Sequence, residues 1–248
     1  KPGYNVQIAV DSEYIVAADI FQDRNDVWTL VPFLKDMGTK LGFRYPSVTA
    51  DSGYESEEAY EYLSEARQKA YIKPQTYEKR KKRSFKKDIS KRENMRYDEA
   101  ADTYTCHAEK KLRAVSVRKQ KSKSGYESEV TIYECEDCSG CPYKEKCTKS
   151  KGNKKLYLSK NFLKKRQESY ENILSEKGIL YRMNRSIQVE GAFGVLKNDY
   201  GFQRFLLRGK TRVKLEVLLL SLGYNLNKLH AKIQNGRTGS HLFEVKSA

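Results

Sequence analysis

Two acidic residues that are far apart in the chain lie in local sequences that suit metal-dependent chemistry on phosphodiesters. Asp51 follows the short apolar run 47–50 and precedes a glycine turn, and Glu190 lies within a mostly apolar helical pattern. Lys197 follows Glu190 by two helical turns on the same face. Carboxylates that are held on rigid elements and brought together by folding can bind the divalent ions of a two-metal site. The simpler interpretations are a turn aspartate that caps backbone amides and a glutamate on the solvated face of an amphipathic helix.

The charge balance favours a polyanionic partner. The 248 residues include 48 Lys and Arg against 32 Asp and Glu, which gives a net charge of +16. Such an excess attracts nucleic acid, because each phosphate that a protein neutralises releases counterions; the alternative is a basic protein without such a partner. No run approaches the roughly 18 apolar residues that a membrane span requires, and the first residues do not resemble a signal peptide. We therefore expect a cytoplasmic protein, and the absence of an initial Met indicates a fragment of a longer chain.

Basic and aromatic residues flank Glu190 on both sides, and they suit contacts with phosphates and bases. The aromatic members are Tyr181, Tyr200 and Phe205. The candidate DNA contacts are Arg182, Arg204, Arg208, Lys210 and Arg212, with Lys214 beside them. The run 79–96 is also rich in Lys and Arg but nearly free of apolar residues. It predicts a flexible, solvated segment with a less specific role in DNA contact.

Four of the five cysteines lie between residues 135 and 147, in a pattern that suits a structural metal site. The candidate Zn²⁺ ligands are Cys106, Cys138, Cys141 and Cys147. The Cys138-x2-Cys141 spacing is that of a metal knuckle, and Cys135 or His107 could replace one ligand. A redox cluster, free thiols and an iron–sulfur cluster are the alternatives. Zn²⁺ would stabilise a segment that has too few apolar residues to form its own core.

The apolar periodicity predicts an α/β fold with an inserted subdomain. Strands and helices are expected in the order β-β-α-β-α-β, followed by a cysteine-bearing segment and then by helices. The expected divisions are a first part of a catalytic core at 1–76, a basic linker and cysteine-rich insertion at 77–160, a helical second part of the core at 161–235, and a flexible tail at 236–248.

Taken together, these motifs resemble those of the DDE transposases of bacterial insertion sequences. The run Thr49-Ala50-Asp51-Ser52-Gly53-Tyr54 is similar to the strand that carries the second aspartate of that family. The series Tyr181, Arg185, Glu190 and Lys197 resembles the Tyr-Arg-Glu-Lys signature around its catalytic glutamate. The Glu-to-Lys spacing matches the signature, whereas the Tyr-to-Arg and Arg-to-Glu gaps are each one residue longer here. The cysteine-bearing insertion between the two acids is similar to that of one branch of the family.

The resemblance implies a ribonuclease-H-like core in which two Asp and one Glu bind two Mg²⁺ or Mn²⁺ ions for in-line displacement at phosphorus. Asp51 and Glu190 would be two of these acids, and Lys197 and Arg185 would position the phosphate. The first catalytic Asp of the family ends a strand that this chain lacks, and Asp11 ends the next strand instead. The implied partners are transposon-end and target DNA at the bacterial nucleoid, with a homo-oligomer as a candidate form of the synaptic complex.

Three hypotheses follow from the sequence. The first is the C-terminal catalytic portion of a DDE transposase, with a Zn²⁺-bearing insertion. The second is a catalytically inactive, DNA-binding remnant of such an enzyme. The third is a nuclease that has the same metal site but does not join strands.

Overall fold

The structure is a computed structural model that describes residues 3–239. The chain divides into two compact units. Unit 1 comprises Glu61–Lys73 together with the described residues of Lys1–Glu55 and Ser169–Ala248, and unit 2 comprises Ser56–Tyr60 and Pro74–Glu168. Residues 240–248 of the tail that the sequence predicts to be flexible lie outside the described part of the chain.

Unit 1 begins with an antiparallel hairpin of β1 (Asn5–Asp11) and β2 (Tyr14–Phe21), as the alternating sequence predicts. The two turn residues, Ser12 and Glu13, have positive φ values of 50° and 72°. A two-residue turn of this kind matches the right-handed twist of the flanking strands. From Asn5 to Ala9, alternate residues of β1 therefore share one face, and the register shifts between Ala9 and Val10.

Two further strands of unit 1 are parallel. A 3-10 turn at Asp26–Trp28 leads into α1 (Leu30–Leu41), which is followed by β3 (Ser47–Ala50), α2 (Glu57–Glu65) and β4 (Lys69–Ile72). β3 pairs with β4 from Ser47 opposite Lys69 to Ala50 opposite Ile72. Within residues 3–239, β1 and β2 form one two-stranded sheet and β3 and β4 form another.

Unit 2 contains a five-stranded antiparallel sheet in which each strand pairs with the next along the chain. Its strands are β5 (Arg96–Asp98), β6 (Thr103–Thr105), β7 (Lys111–Lys121), β8 (Glu127–Cys135) and β9 (Lys155–Leu158). Its short helices are α3 (Tyr77–Lys81), α4 (Arg83–Lys86) and α5 (Lys144–Cys147). The basic run 79–96, expected to be irregular, thus forms two short helices and a 3-10 turn at Arg92–Asn94.

A helical run completes the chain. It consists of α6 (Lys160–Leu174), α7 (Glu176–Arg185), a π-helical segment (Ser186–Glu190), α8 (Gly191–Gly194), a second π-helical segment (Val195–Asp199) and α9 (Lys210–Gln234). α7 begins at an N-cap where the Ser175 hydroxyl accepts a hydrogen bond from the Gly178 amide. Only glycine fits at position 178, because a Cβ there would lie 1.9 Å from the carbonyl oxygen of Asn172.

The core of unit 1 forms where β2 meets this helical run. Its buried members are Ile15, Ala18, Ile20, Ala192, Leu196, Val213, Val217 and Tyr224. Asn225 of α9 accepts a hydrogen bond from the Ile15 amide at 2.8 Å and donates one to the Ile15 carbonyl at 2.9 Å. α9 therefore satisfies backbone groups of β2 as well as burying its apolar face.

The chain is a mixed α/β protein, as the sequence predicts. No helix among residues 3–239 combines the length and the apolar character that are needed to cross a membrane.

Candidate active site

Asp51 lies at the carboxyl end of β3, where the strand passes into a 3-10 turn at Ser52–Tyr54. One carboxylate oxygen, Oδ1, accepts the backbone N–H of Ser52 at 2.8 Å. The side chain is nevertheless 51% exposed. The capping role and an accessible carboxylate are therefore compatible, because the cap uses one oxygen and leaves the other free to meet a cation.

Folding brings Asp51 and Glu190 to the same guanidinium group. Nη1 of Arg185 lies 4.0 Å from Oδ2 of Asp51 and 3.7 Å from Oε1 of Glu190. The Glu190 carboxylate also accepts a hydrogen bond from the Ser186 hydroxyl at 3.0 Å. The Arg185 side chain is only 25% exposed, whereas that of Glu190 is 68% exposed. A half-buried, permanently charged group thus supports two carboxylates that face solvent.

The π-helical segment Ser186–Glu190 explains why Arg185 and Glu190 can meet. Residues five apart in an α-helix point about 140° away from each other, because each residue advances the helix by about 100°. A π-helical turn, with its i→i+5 hydrogen bonds, absorbs one additional residue and places residues five apart on one side. The extra residue in the Arg-to-Glu gap, relative to the Tyr-Arg-Glu-Lys signature, is accommodated in this way.

A polar network below the Asp51 turn was not anticipated from the sequence. The Tyr54 hydroxyl donates a hydrogen bond to Oε1 of Gln7, and Nε2 of Gln7 lies 3.1 Å from Oδ1 of Asp26. Nδ2 of Asn5 donates to the same Asp26 oxygen at 2.7 Å. Gln7 is only 4% exposed, so these bonds satisfy a buried amide. Asn5 and Gln7 are polar residues two apart on a strand, and this period-2 pattern was the available signal.

The same network fixes the backbone beside Asp51. A Cβ at Gly53 would lie 3.1 Å from Oδ2 of Asp26, so the turn packs closely on that carboxylate. Burial and the negative charges of Asp26 and Asp51 together raise the pKa of Tyr54 to about 12, although Arg185 and the hydrogen bond to Gln7 oppose them. Tyr54 therefore stays a neutral hydrogen-bond donor at physiological pH.

For three other candidate residues, the structure shows positions or contacts outside the Arg185 ion pairs. The Tyr181 ring packs edge-on against Tyr71, with centroids 5.1 Å apart, and it lies in the regular helix α7, where no extra residue is absorbed. The Lys197 ammonium lies over the Phe193 ring, 5.5 Å from its centroid. Asp11 ends β1 at the hairpin, four residues beyond Gln7, which is about 13 Å along a strand.

The candidate DNA contacts are mostly exposed. Arg204, Arg208, Lys210 and Arg212 are exposed, and Arg182 is half-buried on α7. The Lys210 ammonium lies 5.6 Å from the centre of the Phe21 ring. Lys214 differs from its neighbours, because its ammonium is 2.8 Å from Asp19 and 3.7 Å from Asp36. Its charge is therefore neutralised within the protein.

All five cysteines line one small cavity of unit 2, with a volume of about 20 Å³. Such a volume has room for a single water-sized occupant. Cys138 Sγ accepts the backbone N–H of Lys154 at 3.4 Å, and its own amide donates to Asn153 Oδ1 at 3.0 Å. Cys135 is 2% exposed, and its thiol donates to the Asp137 carbonyl.

The protonation of two of these thiols follows from their surroundings. Burial and a hydrogen bond with Cys138 raise the pKa of Cys135 to about 12. Burial also raises the pKa of Cys147. The His107 ring packs edge-on against Tyr143, with centroids 4.7 Å apart, beside the same cavity.

The placement of the acids and cysteines bears on metal binding. Among residues 3–239, no three His, Cys, Asp or Glu side chains are grouped so as to hold a metal ion. Asp51 and Glu190 supply two carboxylates, and Mg²⁺ commonly takes one or two protein carboxylates while water and substrate phosphates fill its other positions. The carboxylate pair therefore fits such an ion by donor type and number.

The fold and site define a mixed α/β protein with two strand- and helix-borne carboxylates that converge on one arginine. The family model for the transposase DDE domain matches residues 105–230. Because this match covers just over half of the chain, the chain belongs to the transposase DDE domain family. The match includes Arg185, Glu190, Lys197 and all five cysteines, while Asp51 lies before it. No curated protein and no solved structure matches the chain.

Proposed function

We propose that this chain is the catalytic portion of a DDE transposase that cleaves DNA and transfers strands with the aid of divalent metal ions. The observation that carries the proposal is the convergence of Asp51 and Glu190 on Nη1 of Arg185. Residues so distant in sequence meet on rigid elements, a strand end for Asp51 and a helical run for Glu190, as a phosphodiester-processing site requires. Membership of the transposase family supports the same activity.

The proposed core is ribonuclease-H-like. Its support is the order of the elements, in which the hairpin β1–β2 precedes α1, β3, α2 and the parallel strand β4. Within the described residues, β1 pairs only with β2, and β3 pairs only with β4. A core of this type carries one further strand, and the unpaired edges of β1 and β3 are the positions that such a strand would occupy.

The proposed cofactor is Mg²⁺ or Mn²⁺, held by Asp51 and Glu190. When bound, the ion would activate water or a DNA 3′-hydroxyl and stabilise the leaving oxygen. Asp51 is held in place by the Ser52 amide and Glu190 by the Ser186 hydroxyl. Arg185 offsets part of the negative charge of the pair and offers a guanidinium for contact with a phosphate. The exposed basic residues of 204–212 would hold the flanking DNA backbone.

A second candidate function is DNA binding without catalysis. The observation that favours it is the number of acids, because the described residues bring two carboxylates together rather than three. In that case the protein would bind transposon-end DNA through the same basic surface and leave it intact.

The deciding experiment is a nicking assay on supercoiled and terminal-repeat DNA with Mg²⁺ or Mn²⁺. We expect the wild-type chain to nick DNA, and Asp51→Ala and Glu190→Ala each to abolish nicking without loss of DNA affinity. Asp199→Ala is the matched control, because Asp199 is an exposed acid on the same helical run. Nicking that survives both active-site substitutions would refute the catalytic proposal. DNA binding without nicking by the wild-type chain would establish the second candidate, and nicking without joined products would indicate a nuclease.

We also propose that Zn²⁺ stabilises unit 2 through Cys106, Cys138, Cys141 and Cys147. These thiols are donors of the right kind, and they line one small cavity. Because no three of them are grouped so as to hold an ion in the described residues, Zn²⁺ would have to draw them together on binding. An amide hydrogen bond to sulfur, like that from Lys154 to Cys138, stabilises a thiolate ligand. Cys135 is assigned to the core instead, because its thiol already donates to the Asp137 carbonyl.

Elemental analysis of the whole chain purified without chelator tests the zinc site. We expect close to one zinc per chain in the wild type and in Cys135→Ser, and less than half of that in Cys138→Ser and Cys141→Ser. A wild-type protein without zinc would contradict the proposal.

A further inference from the structure

Helix α9 has apolar residues on two opposite faces. One face packs into the core of unit 1 through Val213, Val217 and Tyr224. The opposite face carries Leu215, Leu219, Leu222, Leu226, Leu229 and Ile233, which are between 42% and 60% exposed. A surface helix of a globular protein normally has a polar outer face. The exposed residues therefore require an explanation other than the core of unit 1.

These six residues, which we call the α9 seam, follow the spacing of a coiled coil. The steps from Leu215 to Ile233 alternate between four and three residues without a break. This is the a/d pattern of a heptad repeat, with Leu215, Leu222 and Leu229 at one position and Leu219, Leu226 and Ile233 at the other. A continuous a/d stripe, narrower than the apolar face of a helix packed on a core, fits one partner helix.

We propose that the α9 seam binds the same seam of a second copy of this chain, with the two helices antiparallel. In an antiparallel pair, each a residue faces a d residue of the partner. With the two-fold axis on the seam side of α9 at the level of residue 224, Leu215 faces the partner's Ile233, Leu219 faces the partner's Leu229, and Leu222 faces the partner's Leu226. Every residue of the seam then has an apolar counterpart, so the surface is complementary to itself.

Charge and shape at the flanks agree with this arrangement. Glu216 comes opposite the partner's His230, so the acid does not meet a second acid. Gly223 comes opposite the same residue of the partner, close to the axis, and a Cβ at this position would meet nothing within 4 Å. The absence of a side chain there allows the two helices to approach closely.

The apolar area of the α9 seam is close to the area that one partner buries in a stable interface. Six large side chains, each about half exposed, offer on the order of 600 Å² of apolar surface, at the upper limit of what monomers usually expose. A stable interface buries about 800 Å² on each partner. With Leu218, which is 43% exposed beside the seam, α9 provides most of that area. DNA is a poor alternative occupant, because the seam offers no charge to its phosphates.

Sedimentation velocity on the whole chain, without DNA or added metal, tests the pairing independently of the proposed catalytic activity. We expect a dimer for the wild type and for the control Ile179→Glu, since Ile179 is 52% exposed on α7, outside the seam. The double variant Leu222→Glu/Leu226→Glu should sediment as a monomer, with a dissociation constant at least about 100-fold higher, because charges would be buried without partners. Both sites are more than half exposed, and an unchanged circular dichroism spectrum would show that the variant folds. A monomeric wild type, or a dimer that the double variant leaves intact, would overturn the proposal.

Disulfide trapping tests the orientation. An antiparallel pair brings position 219 of one chain to position 229 of the other, within the usual range for a disulfide. A mixture of Leu219→Cys and Leu229→Cys chains should therefore cross-link, while each variant alone should cross-link no more than the wild type with its five native cysteines. Cross-linking of Leu219→Cys with itself would indicate parallel helices and reject the antiparallel pairing.

Discussion

The guanidinium of Arg185 lies 3.7 Å from the carboxylate of Glu190, five residues further along the chain. A regular α-helix would not allow this contact, and the π-helical segment Ser186–Glu190 makes it. π-Helical turns are frequent at functional sites, where they re-aim a side chain at the cost of less regular backbone bonding. The irregularity here therefore has a direct consequence for the site, because it presents Glu190 to the same guanidinium as Asp51.

The first prediction concerns this π-helical segment. Deleting Ile187, which is 46% exposed, should convert the segment to α-helix and leave Arg185 and the glutamate four residues apart, still on one side. We expect this variant to keep its thermal stability within a few degrees and its DNA nicking within about 10-fold. Inserting an alanine after Ile187 should instead rotate Glu190 away and reduce nicking at least as much as Glu190→Ala. Comparable losses in the deletion and insertion variants would contradict this explanation.

The second prediction separates metal binding from catalysis. Arg185→Ala removes a cation from between two carboxylates, so it should tighten Mn²⁺ binding several-fold, as measured by titration calorimetry. The same change should lower nicking by about 100-fold, because a charge-assisted contact to phosphate is lost. Arg185→Lys is the control, since it keeps the charge and should bind Mn²⁺ like the wild type. Weaker Mn²⁺ binding in Arg185→Ala would show that the arginine does not compete with the ion.

The third prediction concerns the network beneath Asp51. Tyr54→Phe removes the hydrogen bond to Gln7 and leaves its buried amide short of one partner, which should destabilise the protein by about 1–2 kcal/mol. Nicking should fall more than DNA affinity does, because the turn that holds Asp51 loses support. Tyr200→Phe, which removes a hydroxyl that accepts a bond from Asn227 in a different part of unit 1, is a suitable comparison. If the two substitutions affected nicking equally, Tyr54 would have no specific role in positioning Asp51.

The fourth prediction is a pH dependence in unit 2. Hydrogen bonds from Lys160, Tyr133 and Tyr97 lower the pKa of Asp102 to about 2, from an ordinary value of 3.8. Because the folded state binds this proton less readily than the unfolded state, the ionised Asp102 stabilises the fold above about pH 4 and loses this effect as the pH falls towards 2. Asp102→Asn should therefore cost about 1–2 kcal/mol at pH 7, allowing for partial exposure, and progressively less below pH 4.

Urea unfolding at several pH values would measure this effect. The exposed Glu99, substituted by Gln, serves as the control, and its stability difference from the wild type should stay small throughout. The difference in the free energy of unfolding between the wild type and Asp102→Asn should narrow at low pH. If it does not, the hydrogen-bonded carboxylate of Asp102 is not its source.

Local sequence patterns predicted much of unit 1 and less of unit 2. The alternating residues of β1 and β2 and the strand that ends before Asp51 were readable because their periodicity is local. Strand β7 was not predicted from the sequence, since most of Lys111–Lys121 is exposed and its sequence lacks a clear apolar alternation. The short helices of 77–86 were also missed, because a basic segment with few apolar residues gives no periodic signal.

The sequence by itself determined which reactive residue types are present. These are two acids in local sequences that suit metal binding, many basic residues, and cysteines with the spacing of a metal knuckle. Residue type and local spacing are sufficient for that inference. Only the tertiary structure shows that Arg185 contacts both Asp51 and Glu190. It also shows that Lys214 forms an ion pair with Asp19, and that Gln7 accepts a hydrogen bond from Tyr54. These relationships depend on contacts between residues far apart in the chain, and no local pattern specifies the distance between such residues.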